Sequence, residues 1–216
     1  MRPLRFALAQ GLLLSPALEA VRAIGLETPD RAADDRRLVV RAGAIDFVFA
    51  RPSDIATYVE RGAADLGIVG QDVLMESATR VLDLVDLGFG SCRFVVAAPT
   101  SALERSLDEY RHLGSLEVAT KYPRVAREHF ERRGIPVEIV KVAGSVEVAP
   151  RVGLADWIVD LVATGATLRA NELSVVEEIA TCTARLVANP TSFHARRAEI
   201  EPIVERLAGR TAVVAS

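Results

Sequence analysis

The feature that most constrains the fold is a repeated alternation of short apolar runs with helical patterns. Strand-like runs such as LRFALA (4–9), ADLGIVG (64–70) and CRFVVAAP (92–99) are separated by segments with helical spacing of apolar residues. The runs are too short for buried helices, so they predict strands. Strands that alternate with helices pair mostly in parallel, because each helix returns the chain across the sheet. The sequence therefore predicts an α/β protein with mixed, mainly parallel sheets.

The alternation falls into two blocks, and the second begins near residue 100. Each block has its own strand–helix repeat, so we expect two lobes with a central cleft. Lobe I is predicted to contain residues 1–95 plus 178–216, and lobe II residues 96–177. The adjoining runs RLVVRA (37–42) and IDFVFA (45–50) predict a hairpin as the one antiparallel insertion.

Local signals predict where several helices begin. Ser15 is expected to be an N-cap with Pro16 at the first helical position. In RPSDIATYVERG (51–62), Ser53 or Asp54 is expected to cap the helix. Three further segments are predicted as a short helix (145–155), as one or two strands (174–189) and as an amphipathic helix (191–209).

Composition excludes several classes of function. The net charge of −3 gives no global attraction to nucleic acid or to acidic membranes. No apolar run approaches the roughly 18 residues of a membrane span. The N-terminus resembles the start of a signal peptide, but Gln10 and Gly11 break its apolar run, which favours a first strand. Cys92 and Cys182 fit no metal-ligand spacing, and we expect reduced thiols in a cytoplasmic protein.

The stretch DLVATGATL (160–168) is the strongest local candidate for chemistry. A buried strand runs into a turn of small residues, with Gly165 at its centre and Thr164 and Thr167 on either side. A glycine between a parallel strand and a helix lets backbone N–H groups point at an anion. Taken alone, the turn fits a phosphate site and a capped helix start equally well.

Two acidic residues favour the phosphate interpretation. Asp160 lies four residues before Thr164, and Glu147 lies on the preceding predicted helix. Carboxylates beside an anion-binding turn suit a ribose phosphate, because they accept hydrogen bonds from the ribose hydroxyls. The structural alternatives are a carboxylate that caps the next turn, for Asp160, and a solvated helix face, for Glu147.

The segment 147–168, EVAPRVGLADWIVDLVATGATL, resembles the signature of the ATP phosphoribosyltransferases, the first enzymes of histidine biosynthesis. Matching positions are Glu147, Gly153, Ala155, Ile158, Asp160, Thr164, Gly165, Thr167 and Leu168. The resemblance extends over nearly the whole chain, through RPSD (51–54), YVERGAADLGIVGQDVL (58–74), LVDLGFGSCR (84–93), ATKYP (119–123) and GSVEVAP (144–150).

The resemblance implies a reaction between ATP and 5-phosphoribosyl-1-pyrophosphate (PRPP). Adenine N1 displaces pyrophosphate from the ribose C1, with Mg²⁺ carried by the pyrophosphate and no metal site from protein ligands alone. The chain is similar to the short form of the family. That form works with a regulatory subunit similar to histidyl-tRNA synthetase, so we expect a homodimer core assembled with such a subunit. The family's architecture is two-lobed and similar to that of type II periplasmic binding proteins.

The same resemblance implies roles for individual residues. Arg36 and Asp160 are expected to be catalytic, with Arg36 stabilising the pyrophosphate. PRPP is expected to contact Glu147, Asp160, Ala163, Thr164, Gly165, Ala166, Thr167 and Leu168. ATP and pyrophosphate are expected near Gly11, Arg51, Asp72, Arg93, Lys121 and Tyr122. For Arg51 and Arg93, a surface charge beside a strand remains an equal alternative.

The chain departs from the family at three basic positions and one glycine position. The family's K-G-R reads Gln10-Gly11-Leu12, its G-K-D reads Gly70-Gln71-Asp72, and its N-G-L reads Asn171-Glu172-Leu173. Leu12 opens the alternative of a PRPP-binding paralogue with little or no activity, unless Arg5, Arg22 or Arg41 takes the missing position. A bilobal solute-binding protein is a further alternative, against which the T-G-x-T-L turn and the lack of a signal peptide argue.

Overall fold

The chain forms two compact units in a computed structural model that describes residues 2–30, 36–102 and 116–214. Unit 1 contains Met1–Ser91 and Thr183–Ser216, and unit 2 contains Cys92–Cys182. The chain passes between them twice, at residues 91–92 and 182–183. Cys92 and Cys182 are opposite each other on neighbouring antiparallel strands and carry thiols.

Unit 1 is built on a six-stranded sheet with the order β2-β3-β1-β4-β11-β5. Its strands are β1 (Leu4–Ala9), β2 (Val39–Ala42), β3 (Ile45–Ala50), β4 (Leu66–Gly70), β5 (Leu82–Asp86) and β11 (Ala184–Ala188). Its helices are α1 (Leu14–Ala23), α2 (Pro52–Glu60), α3 (Gln71–Ser77), α6 (Pro190–Ala195) and α7 (Arg197–Val214).

Parallel pairing holds the centre of this sheet. Strands β3, β1 and β4 are parallel, and β4 is buried along its whole length. Gly67 lets helix α2 pack closely on β4, because a Cβ there would meet Val59 at 2.8 Å and Ile55 at 3.0 Å. The rings of Phe6 and Phe47 stack across β1 and β3 with centroids 6.1 Å apart. Close packing on both faces explains the continuous apolar runs in the sequence.

Unit 2 is built on a five-stranded sheet with the order β10-β6-β9-β7-β8. Its strands are β6 (Cys92–Pro99), β7 (Leu116–Thr120), β8 (Val137–Lys141), β9 (Trp157–Val162) and β10 (Leu173–Cys182), and its helices are α4 (Pro123–Arg133) and α5 (Ala166–Ala170). Strands β9, β7 and β8 are parallel, while β6 is antiparallel to both of its neighbours, β9 and β10. Apolar clusters cover both faces of this sheet.

The expected hairpin of β2 and β3 is confirmed, but more strands are antiparallel than this one insertion. The additional antiparallel strands lie beside the crossings between the units. The segment 174–189 forms two strands in different sheets, because the chain leaves unit 2 after Cys182 and enters unit 1 at Thr183.

Several predicted helix boundaries were wrong. Helix α1 begins at Leu14 with Leu13 as N-cap, so Ser15 is inside the helix, where its hydroxyl bonds to Glu19. Helix α2 has Arg51 as N-cap and Pro52 in its first turn, while Ser53 bonds to Asp54. Pro lies near the start of both helices, as expected for α1, but among the described residues no side chain caps either helix.

Two other helix predictions were wrong, and one helix was missed. The segment 145–155 contains only a 3₁₀ turn at Val146–Val148. The segment 191–209 is interrupted at Arg196, between α6, which Asn189 caps, and α7. The sequence did not predict α3. Among the described residues, no helix is long and apolar enough to cross a membrane.

Candidate functional site

The carboxyl ends of three parallel strands define the candidate site in unit 2. Strands β7, β8 and β9 run in the same direction, so Lys121, the loop from Val142 to Ser145 and the turn Ala163–Gly165 follow them at one edge of the sheet. Ligands of open α/β sheets bind at this edge, because side chains and backbone groups of the loops converge there. The sheet topology therefore brings the segments around Asp160 and Glu147 together.

The threonine turn begins helix α5 with a left-handed glycine. Gly165 is the N-cap of α5 with φ +73° and ψ 8°, a left-handed conformation that favours glycine. Its lack of a side chain leaves the first helical turn without a side-chain cap. The nearest substitute is the hydroxyl of Thr164, which accepts a 3.4 Å hydrogen bond from Ala166 N–H. Among the described residues, the N–H groups of Thr167 and Leu168 have no protein acceptor.

These contacts bear on the two interpretations of the turn that the sequence left open. A capping side chain would occupy the N–H groups, whereas here they and both threonine hydroxyls remain available to a ligand. The turn lines a pocket of about 150 Å³ together with both acidic residues. The complete set of lining residues is Glu147, Asp160, Leu161, Val162, Ala163, Thr164, Gly165, Ala166, Thr167 and Leu168.

Asp160 is a buried carboxylate at the wall of this pocket. It lies on β9 opposite Val95 of β6 and is 7% exposed. Burial raises the pKa of Asp160 above the ordinary value for an aspartic acid; the N–H of Leu161 and the charge of Lys121 lower it, and the charge of Glu147 raises it. The carboxylate of Asp160 thus accepts from the neighbouring Leu161 N–H on β9 and also lines the pocket.

Glu147 reaches the pocket from the 3₁₀ turn Val146–Val148. Ser145, just before it, has a left-handed backbone with φ +47°, which turns the chain sharply after β8. Val146 is fully buried and fixes this turn against the sheet, while Glu147 is half-buried. The interpretation of Glu147 as part of a solvated helix face is therefore wrong, because no regular helix forms there.

Three further predicted residues lie at the same edge with different surroundings. Lys121 follows β7 and is close enough to Asp160 to lower its pKa. Arg93, opposite Val162 at the end of β9, is paired with Glu178 at 2.9 Å. The ring of Tyr122 packs edge-to-face on Phe94 with centroids 4.8 Å apart. Of these three, Lys121 acts electrostatically on the pocket, and none of the three lines it.

The remaining predicted residues lie at the corresponding edge of unit 1. Gly11 follows β1 with φ +93°, and Arg51 follows β3. Arg36 is exposed and lies just before β2, near the carboxyl end of β3, since Leu38 C=O accepts from Phe49 N–H. Asp72 is in the first turn of α3, and burial raises its pKa while the N–H groups of Val73 and Asp72 lower it.

Leu12 stands where the family resemblance places an arginine, and none of the three candidate arginines takes its place. Leu12 is 97% exposed in the turn after β1. Arg5 and Arg41 lie at the opposite, amino-terminal edge of the sheet, next to Asp46. Arg22 is in the last turn of α1, where it donates to Thr28. No arginine of this set therefore replaces the basic residue that the family resemblance places at position 12.

Sequence reasoning missed two residues of the turn. Arg169 donates from Nη1 to the carbonyl oxygen of Thr164 at 3.2 Å, and Asn171 donates from Nδ2 to the carbonyl oxygen of Thr167 at 2.9 Å. The spacing in the sequence could have indicated these contacts. A side chain four or five residues after a threonine lies about one helical turn away and can reach its carbonyl oxygen.

The described residues contain no group of three or more His, Cys, Asp or Glu side chains placed to hold a metal ion.

A family model described as HisG, ATP phosphoribosyltransferase, matches residues 51–209. The chain belongs to the ATP phosphoribosyltransferase family. It is 49% identical to an ATP phosphoribosyltransferase of Rubrobacter xylanophilus over 207 residues, which cover 94% of each chain. It is also similar to a chain of the ATP phosphoribosyl transferase (HisG:HisZ) complex from Thermotoga maritima, with 30% identity, a TM-score of 0.81, and coverage of 97% of this chain and 98% of that chain.

The fold is also found in solute-binding proteins. The periplasmic aliphatic sulphonate binding protein SsuA from Escherichia coli matches with a TM-score of 0.60 and 13% identity, over 99% of this chain and 74% of that chain. At this identity the likeness concerns the fold alone. The predicted two-lobed, periplasmic-binding-protein-like class is therefore confirmed, and the family match overrides the solute-binding alternative.

Proposed function

We propose that the chain transfers the 5-phosphoribosyl group of PRPP to N1 of ATP, giving phosphoribosyl-ATP and pyrophosphate, and that the pocket of unit 2 binds the ribose 5-phosphate moiety. The observation that carries this proposal is the joint lining of one pocket by Asp160, Glu147 and the threonine turn. The pocket offers acceptors for a diol beside donors for a phosphate, which is the polarity pattern of a ribose phosphate.

The turn is the proposed phosphate site. The hydroxyls of Thr164 and Thr167 and the N–H groups of Thr167 and Leu168 supply donors within a short span. The role of the helix dipole is small, because α5 has five residues and its dipole is correspondingly short. Directed hydrogen bonds from the backbone and the hydroxyls, rather than the dipole, would hold the phosphate.

Asp160 and Glu147 are proposed to accept hydrogen bonds from the ribose hydroxyls. A buried carboxylate gains more from such donors than an exposed one, because little water competes for it. The same negative charges favour the transition state, since positive charge develops on the ribose as the bond to pyrophosphate breaks. Catalysis then consists of orientation and electrostatic stabilisation, with adenine N1 as nucleophile and no covalent intermediate on the protein.

Residues of unit 1 are proposed to act on the polyphosphates. The exposed guanidinium of Arg36 is assigned to the departing pyrophosphate, by resemblance to the family, and Gly11, Arg51 and Asp72 to ATP or pyrophosphate. In unit 2, Lys121, Tyr122 and Arg93 complete this set. For Arg93, ligand binding would have to compete with its ion pair to Glu178.

We assign Mg²⁺ to the reaction as an ion that arrives with PRPP. Pyrophosphate oxygens are hard ligands that Mg²⁺ prefers, and the ion would neutralise charge on the leaving group. The protein's contribution would be confined to positioning the pyrophosphate.

A regulatory subunit is part of the proposal. The similar chain from Thermotoga maritima comes from a HisG:HisZ complex. By analogy, this chain would form a homodimer core that assembles with a subunit similar to histidyl-tRNA synthetase.

A product assay tests the proposal. The chain is incubated with ATP, PRPP and Mg²⁺, with and without a HisZ-type subunit, and phosphoribosyl-ATP is separated by chromatography and identified by mass. We expect product that depends on PRPP and Mg²⁺, and a higher rate with the subunit. Binding of PRPP without product under either condition would contradict transferase activity and favour the PRPP-binding paralogue.

A further inference from the structure

The carbonyl oxygens of the two pocket threonines are both engaged by side chains from the end of the same segment. Arg169 Nη1 lies 3.2 Å from the Thr164 oxygen, and Asn171 Nδ2 lies 2.9 Å from the Thr167 oxygen. The Arg169 guanidinium also lies over the turn, where a Cβ on Gly165 would be 3.1 Å from Nη1. Arg169 and Asn171 therefore bind the carbonyl oxygens of the turn and not its N–H groups.

A turn that binds an anion must direct its N–H groups, and not its carbonyl oxygens, towards the ligand. Every peptide unit supplies an acceptor as well as a donor, and a carbonyl oxygen facing a phosphate repels it. A rotation of one peptide in the turn would exchange an N–H for a C=O at the ligand. Hydrogen bonds that hold the carbonyls on the far side therefore keep the N–H groups on the ligand's side.

We infer that Arg169 and Asn171 are positioning residues that fix the threonine turn in its anion-binding orientation. Arg169 is the stronger of the two, because its charge also contributes a favourable potential at the turn. Among the described residues, no carboxylate is paired with Arg169, so this charge is not neutralised locally. The inference rests on the proposed function of the pocket and adds the residues that prepare it for phosphate.

The experiment separates the carbonyl contact of Arg169 from its charge. Arg169→Leu removes both, Arg169→Gln keeps a donor without the charge, and Arg169→Lys keeps the charge with a single donor group. Arg127→Leu, at an exposed arginine of α4, is the matched control for loss of one positive charge. Titration calorimetry with the full chain measures the dissociation constants of PRPP, ribose 5-phosphate and ATP for each protein.

For Arg169→Leu we expect the dissociation constants of PRPP and of ribose 5-phosphate to rise about 10-fold, since hydrogen bonds to charged groups contribute on this scale. The constant for ATP and the thermal midpoint should change little. Arg169→Lys should recover most of the affinity, Arg169→Gln part of it, and Arg127→Leu should bind as the unaltered chain does. Asn171→Ala should weaken ribose 5-phosphate binding less than Arg169→Leu, because it removes a neutral contact.

Two results would overturn this inference, and they differ from failure of the proposed function. Unchanged ribose 5-phosphate binding by Arg169→Leu would show that the turn needs no support from Arg169. An equal loss for PRPP and ATP, together with a lowered thermal midpoint, would show a general structural role instead. If the unaltered chain bound neither PRPP nor ribose 5-phosphate, the assignment of the pocket itself would fail.

Discussion

Folding disfavours the ionised form of Asp160, whereas the proposed ligand binding needs it. Its carboxylate is 7% exposed, and burial raises its pKa because the ionised form loses contact with water. A carboxyl group with a raised pKa lowers stability at any pH above its unfolded pKa, because the folded state holds the charge less well than the unfolded chain does. In the proposed complex, ribose hydroxyls would supply further donors to this carboxylate.

For Asp160→Asn we therefore predict higher stability and weaker binding. At neutral pH the thermal midpoint of the free protein should rise, since the amide removes the buried charge and can still accept from Leu161 N–H. The dissociation constant of PRPP should rise roughly 10- to 100-fold, as expected for the loss of charge-assisted hydrogen bonds. Calorimetry with PRPP and ATP checks this, and equal losses for both ligands would contradict the ribose assignment.

The same pKa predicts a pH dependence of PRPP binding. As the pH falls, Asp160 should become protonated at a higher pH than an ordinary aspartic acid, and PRPP affinity should fall with it. Asp160→Asn should remove this part of the profile. Titrations at successive pH values measure it, and an identical profile in the variant would assign the dependence to another group.

Glu172 is a strained residue at a position where the family resemblance has glycine. Its φ of +57° lies in the left-handed region, where side chains other than glycine are disfavoured. Its conformation ends α5 and lets Thr100 N–H bond to its carbonyl oxygen at 2.9 Å.

We predict that Glu172→Gly raises the free energy of unfolding by roughly 0.5 to 1 kcal/mol, because relief of strain exceeds the extra entropy of the unfolded chain. Glu172→Ala is the control, since it removes the charge and keeps the strain, and it should give little or no gain. Denaturant unfolding distinguishes them, and an equal gain in both variants would assign the effect to the charge.

At the scale of elements, Asp65 joins the N-terminal segment to β4 and to the junction of α6 and α7. It is fully buried and accepts bonds from two Arg2 nitrogens at 2.7 Å, from Arg5 N–H at 2.9 Å, from Ser192 at 2.7 Å and from Arg196 at 3.2 Å. Burial acts to raise the pKa of Asp65, but the bonds from Arg2, Arg5 and Ser192 outweigh it, and the pKa is lowered. This carboxylate explains why the final helices pack where β4 begins.

We predict that Asp65→Asn lowers the free energy of unfolding by about 3 kcal/mol, because it leaves two arginines facing a neutral amide in a buried cluster. The contribution should be present above the unfolded pKa of Asp65 and be lost as the pH falls through the lower folded pKa. Asp83→Asn is the control, since Asp83 and Arg185 pair at an exposed site, where pairs contribute about 1 kcal/mol or less. Similar losses in both variants would contradict a special role for Asp65.

At the scale of the whole molecule, the proposed reaction draws on residues of both units. The proposed PRPP pocket lies in unit 2, whereas Arg36 and the turn with Leu12 belong to unit 1. The pocket is intact, and the loss of positive charge is confined to unit 1. Binding of PRPP and turnover should therefore respond to different substitutions.

We predict that Leu12→Arg raises kcat, because an added guanidinium would stabilise the departing pyrophosphate. The dissociation constant of ribose 5-phosphate, which lacks pyrophosphate, should stay unchanged. Steady-state kinetics and calorimetry measure the two quantities, and Leu12→Ala is the control for loss of the exposed leucine. An unchanged or lower kcat would show that this chain performs the reaction without a basic residue at position 12.

The sequence by itself predicted the fold class, most strands and the residues that line the pocket of unit 2. Buried strands need continuous apolar runs, and a turn such as ATGAT needs small residues, so both leave local patterns. The match of segment 147–168 to the family then identified the ligand class. Helix starts were less determined, because Ser15, Ser53 and Asp54 are good caps in isolation but other hydrogen bonds engage Ser15 and Ser53 in the folded chain.

Only the tertiary structure decided which groups of the site are buried, which charges lie beside them and which hydrogen bonds they make. The crossing between the units separates β10 from β11 within one apolar segment, which no local pattern encodes. The burial of Asp160, the effect of Lys121 on it and the engagement of both threonine carbonyls depend on neighbouring strands and on the turn of α5. Local sequence specifies which groups are present, whereas packing decides which of them water can reach and which remain to meet a ligand.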